Sequence, residues 1–431
     1  MKRFTILFVF LSIIASLRAQ TYVSGGIYSS QTWTTAGSPY IIIGHVVVFQ
    51  KVAVTIQPGV VVKFDSNAIL EVRGYLFANG TPSDSITFTS NLPTPQMGDY
   101  SGIITPDTCS FRYCNFYYGD STLRGSSLNN GTPIAHCTFR YNFCGIYSLP
   151  RSLDTCNFYY NETGTVMCGC DRITNCNFLY NSGGIWWGGA LQFTNNVFKY
   201  NGTGVWAGTG SISHCVFDSN TGMGISGEGT GFHMTYCEIK YNGTGLEPGG
   251  SSGVYFNDIS NNTIGIIHSL PDDTIMCNSI CNNITYDLEN FSSLNFNIQH
   301  NYWCLTDSAQ IQAKIYDAHQ NISYGIVFFT PFDTVQCSSI PTGIEKIANA
   351  SPSISIYPNP SNGKFTIEAP SINGPSLLSV YNVLGEKVLT ATLKDAVYNQ
   401  IDLPQQPSGV YFIRLISETG QLEGEAKVVK Q

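Results

Sequence analysis

Residues 136–142 read His-Cys-Thr-Phe-Arg-Tyr-Asn, and the same phrase returns about every 20 residues between positions 109 and 303. Other copies lie at 155–161, 175–181, 195–201, 214–217 and 236–242, and weaker ones continue to residue 298. A period this short is too small for a pair of helices or a propeller blade. It predicts that each repeat is one coil of a solenoid.

The spacing within the phrase indicates how each coil folds. Residues i and i+2 of a strand point to the same side, so Cys and Phe are expected to face the core and the residue between them to face outward. The Asn that follows favours a turn. A second strand begins after a repeated Gly, and a third must lead to the next Cys. Three stacked strands per coil predict a right-handed parallel β-helix, an all-β fold.

Fourteen cysteines in a chain of this kind suggest disulfides, but most occupy one repeat position. The members of this column are Cys114, Cys137, Cys156, Cys176, Cys215 and Cys237. Stacked strands lie about 4.8 Å apart, farther than the roughly 3.8 Å between the Cβ atoms of a disulfide. The column is therefore predicted to hold buried thiols. Cys304 and Cys337 lie outside it and are the candidate disulfide pair.

The composition restricts the partners and the compartment. Only 12% of the 431 residues are charged, and the net charge is -8. This argues against nucleic acid and anionic membranes as partners. Residues 1–19 have a basic start, an apolar centre and a terminal Ala19, which predicts a signal peptide cleaved after Ala19. No later apolar run reaches the roughly 18 residues of a membrane span, so no integral membrane segment is expected in the mature protein.

Residues 40–90 are alternating strands and turns that open the solenoid, which is predicted to cover residues 20–337. The run from Ile56 to Ser90 resembles the opening coils of secreted right-handed β-helix proteins, with the pattern I-x-P-G-x-x-V-x-F, then L-x-V-x-G-x-L-x-A, then I-T-F-T-S. Asn301-Tyr302-Trp303 resembles a phrase of their closing coils. The resemblance covers about residues 40–305 and implies the same fold.

Residues 338–352 are rich in Ser, Pro, Ala and Gly and are predicted to be a linker. Residues 353–431 have the strand and turn spacing of a small, Ig-like β-sandwich. They carry four motifs in order, whose residues are Tyr357, Pro358, Asn359, Pro360, Gly385, Gly409, Tyr411, Lys427 and Lys430. The set resembles the C-terminal sorting domain of type IX secretion cargo. The resemblance implies that the type IX machinery carries the protein across the outer membrane, that a sorting peptidase removes the domain, and that the product is extracellular or attached to the cell surface.

Two outward columns hold candidate functional residues. Glu238 and Asp258 are equivalent in successive coils, and Asp218 and Lys240 lie close in the pattern. A carboxylate pair beside a lysine suits acid/base catalysis or ion binding. The alternative is a solvated patch whose ion pairs are worth less than about 1 kcal/mol each.

Tyr147, Trp186 and Trp206 follow the buried residue of the second strand and are predicted to point outward as a ligand-binding platform. The alternative is a mutual stack covered by a neighbouring turn. A further column, Tyr141, Tyr160, Tyr180, Tyr200 and Tyr241, lies at a turn and is expected to stack structurally. The histidines lack metal-ligand spacing and the Gly-rich phrases lack a strand-to-helix context, so no metal and no cofactor are expected.

The sequence thus favours an exported, monomeric β-helix protein that binds a glycan or another surface component, in an adhesion role. A polysaccharide lyase or glycoside hydrolase is the alternative, and a structural surface-layer protein is the third. Most coils are close to 20 residues long, and only 119–132 and 245–253 are longer. Enzymes of this fold usually have long loops around a groove, so such lean coils favour binding over catalysis.

Overall fold

The structure is a computed structural model. It describes residues 20–337 except 106–108, 126–132, 149–151, 167–170, 187–191, 207–209 and 228–230, and residues 354–431 except 369–375, 383–386, 394–398, 404–405 and 418–421. The chain divides into two compact units, Met1–Cys337 and Ser338–Gln431. The predicted signal peptide and linker lie outside the described residues.

The first unit is a parallel β-helix, in agreement with the prediction from the repeat. We name its three sheets by their place in the coil. The Phe sheet contains the Cys-x-Phe strands: Val61–Phe64, Ile86–Ser90, Cys114–Tyr117, Thr138–Arg140, Asn157–Tyr159, Asn177–Leu179, Val197–Lys199, Val216–Asp218, Glu238–Lys240, Asp258–Ser260 and Ser279–Cys281.

The Ile sheet follows the Phe sheet in each coil. Its strands are Ile69–Val72, Gly102–Thr105, Ser121–Gly125, Cys144–Tyr147, Thr163–Val166, Gly183–Trp186, Thr203–Trp206, Met223–Ser226, Thr244–Glu247, Ile264–His268, Tyr286–Asn290 and Ile315–Tyr316. At the opening, Tyr40–Val48 pairs with Thr21–Ile27 and is long enough to pair with strands of both the Phe sheet and the Ile sheet.

The return sheet has twelve strands and leads each coil to the next Cys. They are Gln31–Trp33, Ala53–Ile56, Tyr75–Asn79, Cys109–Arg112, Pro133–Ala135, Ser152–Asp154, Arg172–Thr174, Gln192–Thr194, Gly210–Ser213, Phe232–Thr235, Gly253–Tyr255 and Thr274–Met276. A 3-10 helix, Thr35–Gly37, lies near the start. Near the end lie the short helix Ser308–Gln312 and the strand pair Phe296–Asn297 with Val327–Phe328.

The interior of the solenoid is a stack of identical side chains. The rings of Phe116, Phe139, Phe158, Phe178, Phe198 and Phe217 are fully buried, with neighbouring centroids 4.6 to 5.0 Å apart. Burying each ring contributes roughly 2–3 kcal/mol. The repeated Phe therefore explains both the regular coil and much of its stability.

The cysteine column is buried and its members are free thiols, as predicted. At this position a cysteine sulfur accepts the same backbone hydrogen bond that an asparagine side-chain oxygen accepts in other coils. The Cys176 backbone N–H donates to Asn196 Oδ1, whereas the Cys156 N–H donates to the sulfur of Cys176. Each sulfur also donates to a nearby carbonyl, as Cys176 does to Thr174. Cys and Asn therefore both occur at this position, because either side chain accepts a buried backbone N–H.

The predicted pair Cys304–Cys337 is wrong. The structure joins Cys281 to Cys304 and Cys277 to Cys337. The closing segments continue the stack, since Tyr302 pairs with Ser279. Two residues further along both segments, Cys304 therefore lies beside Cys281. Cys337 turns back to Cys277 instead.

The second unit consists of two antiparallel sheets over one core, as predicted. The first sheet contains Ser355–Tyr357, Lys364–Glu368 and Asn399–Asp402. The second contains Lys387–Leu393, Ser376–Tyr381, Gly409–Ser417 and Leu422–Lys430. Phe365 and Ile367 of the first sheet share the core with Val380, Ile413 and Leu415 of the second.

Candidate functional site: the outer faces of the solenoid

The charged residues predicted on the Phe sheet lie together. Glu238 and Asp258 are register partners in adjacent strands. The Lys240 Nζ atom lies 2.8 Å from Asp258 Oδ2 and 3.6 Å from Glu238 Oε2. One coil earlier, Asp218 is the register partner of Lys240 and forms a 2.7 Å ion pair with Lys199. Lysines and carboxylates thus alternate along the outer face.

The electrostatics of this patch indicate mutual neutralisation. Burial of the Lys240 ammonium lowers its pKa, but its bonds to Asp258 and the charges of Asp258 and Glu238 outweigh burial and raise the pKa overall. A general acid needs a sheltered carboxyl that keeps its proton. The Glu238 side chain is 61% exposed, and both carboxylates contact an ammonium group. The arrangement matches an ion-pair network better than an acid/base pair.

An aromatic column occupies the outer face of the Ile sheet. Register pairing runs from Tyr147 through Val166 to Trp186 and Trp206, one residue per coil. The two indole rings have centroids 5.1 Å apart and planes inclined by 53°. Tyr147 is 39% exposed and Trp186 is 40% exposed. The predicted outward direction of these residues is therefore what the structure shows.

A glycine makes room for the Trp186 ring. The indole lies back across its own strand over Gly183, where an added Cβ atom would collide with the indole nitrogen and its neighbouring carbons. The equivalent positions in the neighbouring coils are Thr163 and Thr203. Sequence reasoning missed Gly183, although its signal was a glycine three residues before Trp186 at a position where adjacent coils have threonine. The missing side chain at Gly183 thus gives the indole the space to lie over its own strand.

A ladder of tyrosine rings follows the corner between the Phe sheet and the Ile sheet. Tyr118, Tyr141, Tyr160, Tyr180 and Tyr200 stack in sequence, with centroids 4.9 to 5.8 Å apart. All of them have positive φ, a conformation that tyrosine rarely adopts. The expected stacking is present from Tyr141 to Tyr200 but does not extend to Tyr241, which lies two coils beyond Tyr200. The side chains of Tyr160, Tyr180 and Tyr200 are also exposed to solvent. We call this column the tyrosine ladder.

Residues of the sorting motif form hydrogen bonds between the last strand of the second unit, Leu422–Lys430, and neighbouring segments. Asn359 donates from Nδ2 to the Lys427 carbonyl at 2.7 Å and accepts from the Val429 N–H at 2.9 Å. The Lys430 ammonium donates to the Leu403 and Gln406 carbonyls at 2.6 Å.

The other predicted motif residues have different surroundings. The Tyr411 hydroxyl donates to the Pro407 carbonyl, and Gly409 is the register partner of Lys430. Lys427 is exposed and Gly385 lies outside the described residues. The motif therefore contains residues that hold the last strand and at least one, Lys427, that is open to a partner.

Among the described residues, one group of potential metal ligands is close enough to share an ion, namely Cys277, Asp333 and Cys337, whose ligand atoms lie within 4.8 Å. Two of these atoms are already joined in a disulfide. In the described part of the chain, no helix combines the length and the apolar character required to cross a membrane.

The fold and the C-terminal unit together define a class, the exported β-helix protein that carries its own sorting domain. Residues 355–431 match the family model described as the secretion system C-terminal sorting domain. This domain supports export of the protein by the type IX route, across the outer membrane to the cell surface or the outside of the cell.

One solved structure with some similarity is the tailspike protein gp49 from Acinetobacter baumannii bacteriophage Fri1, described as a capsular polysaccharide depolymerase. The match has 11% sequence identity and a TM-score of 0.19, and it covers 96% of this chain and 78% of the tailspike chain. No curated protein matches this chain.

Proposed function

We propose that the solenoid is a binding module that holds a glycan, or another surface component rich in sugar, against the outer face of the Ile sheet. The observation that carries this proposal is the exposed Trp186 beside the partly buried Trp206, with the Trp186 ring lying over Gly183. Indole faces pack well against the apolar faces of sugar rings while their edges meet water.

The surroundings of the pair support a neutral ligand. Val166 and Tyr147 continue the column, so four successive coils present uncharged side chains at this position. The low overall charge of the chain agrees with this preference. A role in adhesion follows if the exported protein remains at the cell surface, and a monomer is expected because one chain holds the complete platform.

Retention on a panel of immobilised polysaccharides tests this proposal. We expect Trp186→Ala and Trp206→Ala to weaken retention of the secreted protein by about tenfold or more, equivalent to about 1.4 kcal/mol. Tyr22→Ala is the matched control, because Tyr22 is also an exposed aromatic residue of an outer strand. Equal retention of all three variants and the parent, with unchanged circular dichroism, would reject the aromatic platform.

The adjacent carboxylates Glu238 and Asp258 keep a second function, a polysaccharide lyase or glycoside hydrolase, open to test. Release of unsaturated or reducing ends from the same panel, lost in Glu238→Gln or Asp258→Asn, would establish catalysis and displace binding as the main function. A structural role in a surface layer would instead give neither retention nor release.

A further inference from the structure

The tyrosine ladder lacks one ring. After Tyr200 the next coil has Ser219 at the same corner, and the coil after that has Tyr241. Their φ angles are 58°, 56° and 58°. The preceding residues Lys199, Asp218 and Lys240 are successive register partners, and the corners are joined by hydrogen bonds from Tyr200 N to Asp218 O and from Ser219 N to Lys240 O. Ser219 therefore stands where a ring is missing.

The gap has the size of one ring. Strands of adjacent coils lie about 4.8 Å apart, so the Tyr200 and Tyr241 corners are separated by about 10 Å. Within the ladder, each ring centroid lies 4.9 to 5.8 Å from the next. A single ring placed above Ser219 would thus meet a tyrosine on each side at the ordinary ladder spacing. We call this space the tyrosine slot, defined by Tyr200, Ser219 and Tyr241.

Exposure increases toward the slot. Tyr160 is 39% exposed, Tyr180 is 46%, Tyr200 is 49% and Tyr241 is 60%. Each inner ring of the ladder has both faces covered by neighbours, whereas Tyr200 stacks on Tyr180 on one side. Its other face looks into the slot. An uncovered aromatic face beside a space for one ring is a place where a ligand ring gains contact.

The rim of the slot is polar. Ser219 Oγ donates to Asp218 Oδ1 at 2.7 Å, and Asp218 pairs with Lys199 at 2.7 Å. Lys240, which precedes Tyr241, pairs with Asp258. Carboxylate oxygens, an ammonium and a hydroxyl therefore border a space whose two walls are aromatic. This combination suits a ring that carries hydroxyl groups on its edge and C–H groups on its faces.

We propose that the tyrosine slot binds one pyranose ring, sandwiched between Tyr200 and Tyr241, with its hydroxyl groups meeting Asp218 and Lys240. An apolar aromatic side chain would fill the same space but would take water from the charged rim without replacing its hydrogen bonds. The proposal rests on the proposed function for the class of ligand. It concerns the corner between the Phe sheet and the Ile sheet, whereas Trp186 and Trp206 lie on the outer face of the Ile sheet.

Filling the slot is the sharpest test. Ser219→Tyr supplies the missing ring and extends the stack, so the fold is retained while the space disappears. Asn261→Tyr is the matched control, since Asn261 has φ of 58° at the next corner and a tyrosine there would cover the far side of Tyr241. The probes are the methyl glycosides of glucose, galactose and N-acetylglucosamine, observed by saturation-transfer NMR with the secreted protein.

We expect one of these glycosides to bind the parent and Asn261→Tyr equally, and to bind Ser219→Tyr about tenfold or more weakly, equivalent to about 1.4 kcal/mol. Trp186→Ala should leave this binding unchanged. Equal binding to Ser219→Tyr, or no binding of any glycoside to the parent, overturns the slot.

Preference for N-acetyltyrosinamide over every glycoside also overturns it, because the occupant would then be an aromatic side chain. The two proposals fail separately. Loss of polysaccharide retention in Trp186→Ala tests the platform, and loss of glycoside binding in Ser219→Tyr tests the slot.

Discussion

The side-chain amide of Asn161 donates to Asn181 Oδ1 at 3.0 Å, and the same oxygen accepts the backbone N–H of Asn161 at 2.9 Å. The Asn161 amide also donates to the Phe139 carbonyl at 3.1 Å. The pattern repeats from Asn142 to Asn262, all of them buried. Each Asn thus accepts the buried N–H groups of the Asn at the same corner of the preceding coil. We call this column the asparagine ladder, and its hydrogen bonds link successive coils.

Asn181→Ala should therefore destabilise the solenoid strongly. It leaves two buried donors of Asn161 without their acceptor, at about 1–3 kcal/mol for each unsatisfied group. Urea unfolding measures the loss. Asn177→Ala, on the outer face of the adjacent strand, is the control and should cost less than about 1 kcal/mol. Similar midpoints for the two variants would show that the ladder contributes little.

At its lower end the asparagine ladder meets a carboxyl group. Asn283 donates to Asp287 Oδ1 from its side chain at 2.7 Å and from its backbone N–H at 3.2 Å. Burial raises the pKa of Asp287 to about 6, against the opposing effects of Asn283 and Lys314. Since the unfolded value is about 3.9, this group contributes stability that is complete below about pH 4 and is lost as the pH rises through about 6.

Asp287→Asn removes the charge and keeps an acceptor oxygen for Asn283. We expect the variant to be more stable than the parent at pH 7, by up to roughly 3 kcal/mol, and to equal it near pH 4. Asp273, whose pKa burial also raises to about 6, keeps part of the pH dependence in both proteins. Urea unfolding across this pH range measures the difference, with exposed Asp84→Asn as control. A constant difference between parent and Asp287→Asn would contradict the linkage.

The repeat predicted the coil because its side chains act in the same way in every copy. Alternation assigned Cys and Phe to the core, and stacking of equal residues followed from their equal positions. The closing disulfides could not be predicted in this way. They depend on Tyr302 pairing with Ser279, a register set where the repeat has already decayed.

The disulfide assignment leads to a direct chemical prediction. Peptide mapping without reduction should recover Cys281 linked to Cys304 and Cys277 linked to Cys337. Reduction should lower the melting temperature, because closing loops of this size stabilises a fold by about 3–4 kcal/mol each. The column thiols should resist a thiol reagent until the solenoid unfolds, since all of them are buried in the core. A peptide linking Cys304 to Cys337 would refute the pairing.

The sorting domain offers a test in cells. Asn359→Ala removes the two bonds that hold the last strand at Lys427 and Val429, so we expect the domain to lose stability and the protein to accumulate inside the outer membrane. The measurement is the ratio of extracellular to periplasmic protein on immunoblots. Asn362→Ala is the control, because Asn362 caps only the nearby Lys364 N–H. Normal export of Asn359→Ala would show that these two hydrogen bonds are not required for secretion.

The candidate sites were less predictable than the fold. Strand alternation correctly placed Trp186 and Trp206 outside, but it does not specify that the indole lies over Gly183. Alternation does not predict which way the tyrosine side chains at the corner point, because turn residues do not alternate between the two faces of a strand. The sequence alone does not mark Ser219 as an interruption, because only the structure shows that the tyrosines at these corners form a continuous stack.

Tyr180 combines a stabilising contribution, the stacking of its ring, with a destabilising one, its left-handed backbone conformation. Two substitutions separate these contributions to stability. Its ring stacks on Tyr160 at 5.1 Å and on Tyr200 at 4.9 Å, and its backbone has φ of 59°. Tyr180→Ala loses both stacking contacts and keeps the backbone strain. Tyr180→Gly loses the same contacts but relieves a strain of about 1–2 kcal/mol. Stacking is worth about 0.5–1.5 kcal/mol for each pair. We therefore expect Tyr180→Gly to unfold in urea close to the parent and Tyr180→Ala at clearly lower concentration. A Tyr180→Gly variant no more stable than Tyr180→Ala would mean that the left-handed backbone at this corner imposes no strain on tyrosine. No functional reason would then be needed to explain why tyrosine occupies the corner.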